Sequence, residues 1–255
     1  MESNLEVLFT PAEFSALDGQ DLSQVVCVVF DVLRATSSML TALANGASSI
    51  IPVLEISHAL ELRGARPGVV LAGERDGVRI LGAQTGGVDF DLGNSPREFT
   101  PEAVAGREII ITTTNGTRAL HACRGARRIL PGGFLNLRAL AKAVEEDPGA
   151  RLLVICAGTF EEAAYEDTLA AGALCCQVWK RFEHGPIADS AQIARQIYLG
   201  ADGDLGKAMQ YSRNARRLLS NPALSQDVAF CLRTDCLDLV AELHGGGVVV
   251  SRRGR

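Results

Sequence analysis

Four short polar segments follow apolar runs in the 255-residue chain, and they carry the side chains best suited to chemistry. They are residues 31–38, 74–77, 112–118 and 157–159. Carboxylate oxygens are the ligands that a hard cation such as Mg²⁺ prefers, and guanidinium groups bind phosphate or carboxylate through paired hydrogen bonds. Because these segments are rich in Asp, Glu, Arg and Thr, they favour a divalent cation held beside an anionic substrate.

Single residues within these segments allow more than one interpretation. In TTTNGTR, 112–118, small hydroxyl groups and a glycine at a helix start can gather donors around a tetrahedral anion, with about 0.3–1 kcal/mol from the helix dipole. Thr114 or Asn115 can equally cap the helix, while Gly116 only forms the turn. Asp167 can be a helix N-cap, and Asp91 can hold its own turn. The function is therefore inferred from the set. Its members are Asp31, Glu74, Asp91, Glu166 and Asp167, with Arg34, Arg75 and Arg118 nearby.

Common phosphatase signatures are absent. Asp31 ends an apolar run in VVFDVLRAT, but Leu33 stands where an aspartate-nucleophile phosphatase has its second aspartate. Cys156 is followed by AGTFEE rather than by five residues and an arginine, and neither R-H-G nor a P-loop motif occurs. The chain therefore belongs to none of these classes.

Continuous apolar runs alternate with helix-length segments over the first two thirds of the chain. Such runs are typical of strands buried on both faces, and the alternation predicts an α/β fold with a mixed, largely parallel sheet flanked by helices. The strands are predicted at 25–30, 50–54, 69–72, 108–111, 127–130 and 151–156, and the helices at 36–45, 57–63, 117–124, 136–146 and 162–181.

An internal repeat supports this fold, since 28–52 and 107–131 align without a gap as two βαβ-type units, although chance similarity is the alternative. The last part is more helical, with helices predicted at 189–199, 204–219 and 224–232 that cover a sheet face or form a lid. Two short strands are expected around the glycines at 245–247. No linker divides the chain, so residues 1–255 are predicted to form one domain.

Composition restricts the class of protein. The net charge of −5 argues against nucleic-acid binding, and the basic cluster at 252–255 is interpreted as a solvated terminus. No apolar run approaches the roughly 18 residues that span a membrane, and the N-terminus lacks a secretory pattern. The seven cysteines contain no C-x-x-C pair, so neither a disulfide framework nor a zinc site is indicated. A cytoplasmic protein acting on a small molecule is expected.

The chain resembles the 2-phosphosulfolactate phosphatase family from about residue 25 to 245. The motifs that carry this resemblance, in order, are DVLRATS, ALANGA, AGER, DLGNSP, TTTNGTRAL, CAGT and EDTLAAG, followed by DVAFCLRTD. The resemblance implies Mg²⁺-dependent hydrolysis of (2R)-phospho-3-sulfolactate to sulfolactate and phosphate, a step of coenzyme M biosynthesis, by a cytoplasmic homodimeric α/β protein. A substrate with phosphate, carboxylate and sulfonate groups accounts for the arginines.

Within these motifs we assign Asp31, Glu74 and Asp167 as the Mg²⁺ ligands, and Glu166 and Asp91 as alternative ligands. The predicted catalytic residues are Asp31, Arg34, Glu74, Asn115, Arg118 and Asp167. The predicted substrate-binding residues are Thr36, Asn94, Ser95, Thr113, Thr114, Gly116, Thr117, Gly158 and Thr159. The nucleophile is either a metal-polarised water or a carboxylate such as Asp31, which would form a phospho-enzyme.

One departure from the family pattern is AQTGGV at 83–88, an addition expected to lengthen a loop near the pocket. It leaves two alternatives to the phosphosulfolactate activity. One is a phosphatase of another small phosphorylated acid, and the other is a protein that binds a phosphometabolite without turning it over.

Overall fold

The computed structural model describes residues 4–251, so the basic cluster at 252–255 lies outside the described residues. The strands are β1 (Leu5–Leu8), β2 (Val25–Phe30), β3 (Ser49–Pro52), β4 (Val70–Arg75), β5 (Val78–Arg79), β6 (Glu108–Thr112), β7 (Arg128–Gly132), β8 (Arg151–Cys156), β9 (Ala241–His244) and β10 (Gly247–Val250). The helices are α1 (Pro11–Ser15), α2 (Ala35–Ala44), α3 (Ile56–Ala65), α4 (Gly82–Thr85), α5 (Pro101–Val104), α6 (Gly116–Ala122), α7 (Leu137–Glu145), α8 (Tyr165–Phe182), α9 (Asp189–Gly200), α10 (Leu205–Ala208), α11 (Arg213–Leu219) and α12 (Ser225–Cys231).

The α/β class is confirmed, and the strands form two sheets. Sheet A has four parallel strands in the order β1-β8-β2-β7. Sheet B has six strands in the order β5-β4-β6-β3-β10-β9, of which β4, β6 and β3 are parallel and the others run antiparallel to their neighbours. Each predicted strand overlaps an observed one, whereas β1 and β5 were not predicted because each is too short to show a distinctive pattern.

The internal repeat folds as two strand-helix-strand segments that cross between the sheets. The first segment passes from β2 in sheet A through α2 to β3 in sheet B, and the second passes from β6 in sheet B through α6 to β7 in sheet A. The crossing pairs β2 with β7 and β3 with β6, both in parallel. Neither segment is therefore a βαβ unit within one sheet, which is the arrangement that the repeat suggested.

The two faces of sheet A serve different cores, because successive strand side chains point to opposite sides. Val26, Val28 and Phe30 of β2 face a core formed with α7, α8 and α9. Cys27 and Val29 face a central core that also contains residues of sheet B, α2 and α6. The helices α2 and α6 therefore lie between the sheets, and their N-termini meet at the carboxyl ends of β2 and β6.

The C-terminal part differs from its prediction in one place. The range 204–219 was predicted as one helix, but α10 leads into a 3₁₀ turn, Met209–Tyr211, and α11 starts anew. Ser212 separates them, because its Oγ accepts the Ala215 N–H at 2.9 Å as an N-cap. The strands β9 and β10 form the predicted hairpin. No helix within residues 4–251 has both the length and the apolar character needed to cross a membrane.

Candidate active site

A cleft of about 630 Å³, including its open mouth, lies at the carboxyl ends of β2, β4, β6 and β8. Ligands in α/β proteins commonly bind at such strand ends. The cleft brings together ten of the residues that we predicted for the site. They are Asp31, Arg34, Glu74, Asn94, Thr114, Asn115, Gly158, Thr159, Glu166 and Asp167.

Asp31 follows the last residue of β2 and lies at the floor of the cleft. Its Oδ1 accepts the Ala35 N–H at 3.0 Å, from the first residue of α2. Burial raises the pKa of Asp31 to about 6, and the charges of Glu74 and Glu166 add to the increase. Gly116 packs against this carboxylate, because a Cβ there would lie 2.8 Å from Asp31 Oδ2.

Asp167 and Glu166 enter the cleft from the first turn of α8. Asp167 accepts N–H groups from two loops, at 2.8 Å from Val32 and at 3.2 Å from Gly158. It is not a helix cap, since the N-cap of α8 is Ala164. Burial raises the pKa of Asp167 well above its ordinary value, and the Glu166 and Asp31 charges contribute to this rise.

Glu166 accepts two hydrogen bonds from the segment that carries α11. They come from Ser212 Oγ at 2.6 Å and from Asn214 Nδ2 at 2.7 Å. Asn214 also donates to Thr159 Oγ1 at 2.6 Å. Glu166 therefore fixes the C-terminal helices to the wall of the cleft.

Glu74 joins the end of β4 to the start of α6. Its Oε1 accepts the Thr114 N–H at 2.8 Å, and its Oε2 accepts the Gly77 N–H at 2.7 Å. Asp76 and Gly77 both have positive φ and form a two-residue turn between β4 and β5, which suits an Asp-Gly pair. The Thr114 N–H predicted to face an anion is thus bound to a carboxylate of the protein.

Arg34 is the buried cation of the cleft. Its Nη1 donates to Asp227 Oδ2 at 2.8 Å, and its Nη2 donates to the Gly77 carbonyl at 2.8 Å. Beside it, Asn94 Oδ1 is buried and has no hydrogen-bond partner within residues 4–251. An unpaired buried amide oxygen in a cleft is suited to accept a hydrogen bond from a ligand.

Arg217 of α11 lies at the mouth of the cleft. Its Nη2 is 2.5 Å from the position that a Gly77 Cβ would occupy, and its Cζ lies 6.0 Å from the centre of the Phe160 ring. In the part of the chain that the structure describes, no acceptor is within hydrogen-bond or ion-pair distance of Arg217. A second guanidinium is thus available to an anionic ligand.

The remaining predicted residues lie outside the cleft lining. Arg118 forms an ion pair with Glu161 at 2.6 Å and lines a separate surface cavity with His121. Asp91 pairs with Arg63 at 2.7 Å and accepts the Leu71 N–H, so it holds its own turn.

Five other predicted residues do not line the cleft but contact residues close to it. They are Thr36, Ser95, Thr113, Gly116 and Thr117. Thr36 Oγ1 accepts the Asp31 N–H, Thr113 Oγ1 accepts the Thr117 N–H, and Ser95 donates to Asp227. Gly116 packs on Asp31, as described above. The addition at 83–88 forms part of α4 and the turn after it, and none of its residues lines the cleft.

Seven lining residues were not predicted. They are Leu33, Asp76, Gly77, Phe160, Asn214, Arg217 and Leu218. Asp76 and Gly77 belong to a turn that was singled out for Glu74 and Arg75, and its Asp-Gly pair was the available signal. Asn214 and Arg217 lie in a helical segment without any motif, so only the fold reveals them.

Comparison with known proteins identifies the family. The sequence profile of the 2-phosphosulpholactate phosphatase family matches residues 12–246. The chain belongs to this family. Its similar relatives include proteins named probable 2-phosphosulfolactate phosphatase. The one from Caldanaerobacter subterraneus is 36% identical over 96% of this chain and 98% of its own. The one from Thermotoga petrophila is 38% identical over 86% and 89%, respectively. A third, from Clostridium perfringens, is 33% identical over 93% and 94%.

The donor set of the cleft allows a test of whether Mg²⁺ suits this member of the family. Asp31, Glu74, Glu166 and Asp167 place four carboxylates around one cleft, and their mutual repulsion contributes to the raised pKa of Asp31. Within residues 4–251 no three His, Cys, Asp or Glu side chains form a preassembled metal site. Mg²⁺ usually takes only one or two protein carboxylates, with water and substrate phosphate as its other ligands. The carboxylates present therefore fit Mg²⁺ through one or two of their number.

Proposed function

We propose that the protein is a Mg²⁺-dependent phosphatase that hydrolyses (2R)-phospho-3-sulfolactate to 3-sulfolactate and phosphate. The observation that carries the proposal is that the buried carboxylate Asp31 and the buried guanidinium Arg34, both just after β2, line the same cleft. Membership of the family and the names of its relatives support the choice of substrate.

The proposed chemistry rests on positioning and on neutralisation of charge, which dominate catalysis of phosphoryl transfer. Arg34 is held by Asp227 and Gly77 and would bind the phosphate oxygens. Asp31, with a pKa of about 6, can accept a proton from an attacking water near neutral pH. Mg²⁺, held by one or two of Asp31, Glu74 and Asp167, would neutralise charge on the phosphate and polarise a bound water.

The acid part of the substrate would occupy the outer half of the cleft. Phosphosulfolactate carries sulfonate and carboxylate groups in addition to phosphate, so it needs more than one cation. Arg217 at the mouth is the second guanidinium, and the side chains of Asn94 and Asn115 line the same cleft. A substrate with two separated anionic groups therefore suits this arrangement better than a simple phosphomonoester does.

Phosphate release from synthetic (2R)-phospho-3-sulfolactate tests the proposal directly. We expect turnover with Mg²⁺, none with EDTA, and recovery on addition of excess Mg²⁺. Arg34→Ala should lower kcat/KM by roughly 10²–10³, the usual effect of losing a charged donor to the reacting group. A panel of other phosphorylated three- to six-carbon acids tests the first alternative, since a much better substrate in that panel would replace phosphosulfolactate. Tight binding of one of these phosphorylated acids without turnover would favour the second alternative, a metabolite-binding protein.

The cellular setting is part of the same proposal. We propose action in the cytoplasm, in coenzyme M biosynthesis, by a homodimer that binds no nucleic acid, all of which follow from the resemblance and the acidic composition. Size-exclusion chromatography with light scattering measures the molar mass in solution. A monomeric mass at the assay concentration would contradict the proposed homodimer.

A further inference from the structure

Asp227 of α12 is the most densely bonded carboxylate beside the cleft that our assignment of roles leaves without a function. Its side chain has 0% exposure and binds three partners. Its Oδ2 accepts Arg34 Nη1 at 2.8 Å, and its Oδ1 accepts Ser95 Oγ at 2.7 Å and Arg97 Nε at 2.8 Å. It therefore joins α12 both to the cleft and to the 91–96 motif.

The contacts of Arg34 fix the plane of its guanidinium from two sides. Asp227 holds Nη1, and the Gly77 carbonyl holds Nη2. A guanidinium has five N–H groups, so three remain after these two bonds are made. Arg34 lines the cleft, and no other protein acceptor within residues 4–251 is bonded to it. The remaining N–H groups are therefore held ready for an anion in the cleft.

Asp227 also keeps Arg34 away from the carboxylates that the reaction needs. Arg34 is close enough to Asp31 for its charge to counteract the rise in the pKa of that carboxyl. Without a partner, a buried guanidinium would turn toward the nearest carboxylate, because a lone buried charge is costly. Pairing Arg34 with Asp31 would occupy both groups and block the anion site.

We infer that Asp227 is a positioning residue that holds Arg34 in the orientation that binds the phosphate group of the ligand. This inference rests on the proposed function for the identity of the substrate, but not for anion binding itself. It also gives Ser95 a role different from the predicted one, because Ser95 bonds to Asp227 instead of lining the cleft.

The test combines two single variants with their double variant. Calorimetry should measure the binding of inorganic phosphate in Mg²⁺ buffer, and phosphosulfolactate should be used for kcat/KM. Arg34→Ala and Asp227→Asn are each expected to weaken phosphate binding at least 10-fold. The double variant should be no weaker than Arg34→Ala alone, since Asp227 acts through Arg34. A merely structural role would instead give losses that add.

Arg97→Ala is the matched control. It removes another partner of Asp227 without touching Arg34, so it should keep phosphate binding within twofold of the wild type while losing stability. If Asp227→Asn does not fold, Asp227→Glu keeps the ion pairs but moves the carboxylate by one methylene. It should weaken phosphate binding at least threefold, again without adding to Arg34→Ala.

Three results would overturn the inference: wild-type phosphate binding in the folded Asp227 variants, additive losses in the double variant, or no phosphate binding by the wild type. The proposed function fails separately. If the phosphate affinities of the wild type and the variants follow the expected order, but the wild type does not hydrolyse phosphosulfolactate, only the substrate assignment is wrong.

Discussion

Replacing Asp31 with asparagine should make the metal-free protein more stable while removing its activity. The asparagine side chain can keep the same shape, and its Oδ1 can still accept the Ala35 N–H. The substitution removes a negative charge from a buried position that Glu74 and Glu166 already make unfavourable. Stability and function therefore make opposite demands on this position.

The size of the effect follows from the pKa of Asp31. The pKa is about 6 in the folded protein against an ordinary value of 3.8. Because a raised pKa of an acid means that the folded state binds the proton more tightly, the free energy of unfolding falls as pH rises from about 3.8 to about 6. At 1.36 kcal/mol for each pH unit, the ionised carboxylate costs about 3 kcal/mol above that range.

Urea unfolding followed by circular dichroism measures this difference. With EDTA present, Asp31→Asn should be more stable than the wild type by about 3 kcal/mol at pH 7.5, and the gap should close as pH falls toward 4. Turnover with Mg²⁺ should fall by at least 10²-fold in the same variant. Wild-type turnover would contradict the role proposed for Asp31.

The control for this experiment is Asp227→Asn, which also neutralises a buried aspartate. Asp227 is paired with Arg34 and Arg97, so its loss should cost about 3–5 kcal/mol, opposite in sign to the Asp31 change. If Asp31→Asn destabilises the protein, or if its effect is the same at pH 4 and pH 7.5, the reasoning from burial and repulsion is refuted.

Three further predictions concern other residues of the site. Gly116→Ala would place a Cβ 2.8 Å from Asp31 Oδ2 and should lower kcat/KM about 10²-fold, whereas Gly149→Ala adds a methyl to open space and should have no effect. Equal rates in the two would contradict this packing argument. Glu74→Gln leaves one N–H group facing an amide donor, so urea unfolding should show a loss of about 1–3 kcal/mol, and the Mg²⁺ concentration for half-maximal activity should rise. Unchanged stability would show that these bonds do not matter. Arg217→Ala should raise KM for phosphosulfolactate about 10-fold and leave p-nitrophenyl phosphate unaffected. An equal loss on both substrates would exclude a role in binding the second anion.

The sequence predicted the carboxyl ends of β2, β6 and β8 to within one residue, for a physical reason. A strand buried on both faces must be apolar, so the first polar residue after it, such as Asp31, marks both the strand end and the cleft. Glu74 is the exception, since it lies inside β4 and was recognised by its turn. Parallel neighbours then bring these ends together without any long-range information.

The division into two sheets could not be predicted. A strand face covered by helices and a strand face that packs on a second sheet are equally apolar. In β2 one face packs against α7, α8 and α9 and the other against the central core, and the faces of β6 are likewise divided between two cores. The crossing of the repeats between sheets leaves no trace in the pattern. The sequence also could not predict in which direction a side chain of a motif points. Arg118 lies in the predicted motif, but it is on the side of α6 that faces Glu161.

The sequence also did not predict the site residues that come from segments far away along the chain. Asp227 lies in a motif that supported the family resemblance, but nothing near it in sequence indicates Arg34 as its partner, 193 positions away. Asn214 and Arg217 occur in a helix with ordinary composition. Their roles depend on how α11 packs, which is decided by tertiary contacts rather than by local preference.

The two helices that pass between the sheets determine which wall of the cleft can move. Parting the sheets to admit a substrate would expose the apolar core that α2 and α6 share with both of them. Displacing α11 would break the polar contacts of Ser212 and Asn214 with Glu166 and would uncover Ala215 and Leu218, a much smaller apolar surface. We therefore expect substrate to enter and phosphate to leave past Phe160 and α11, over a rigid floor.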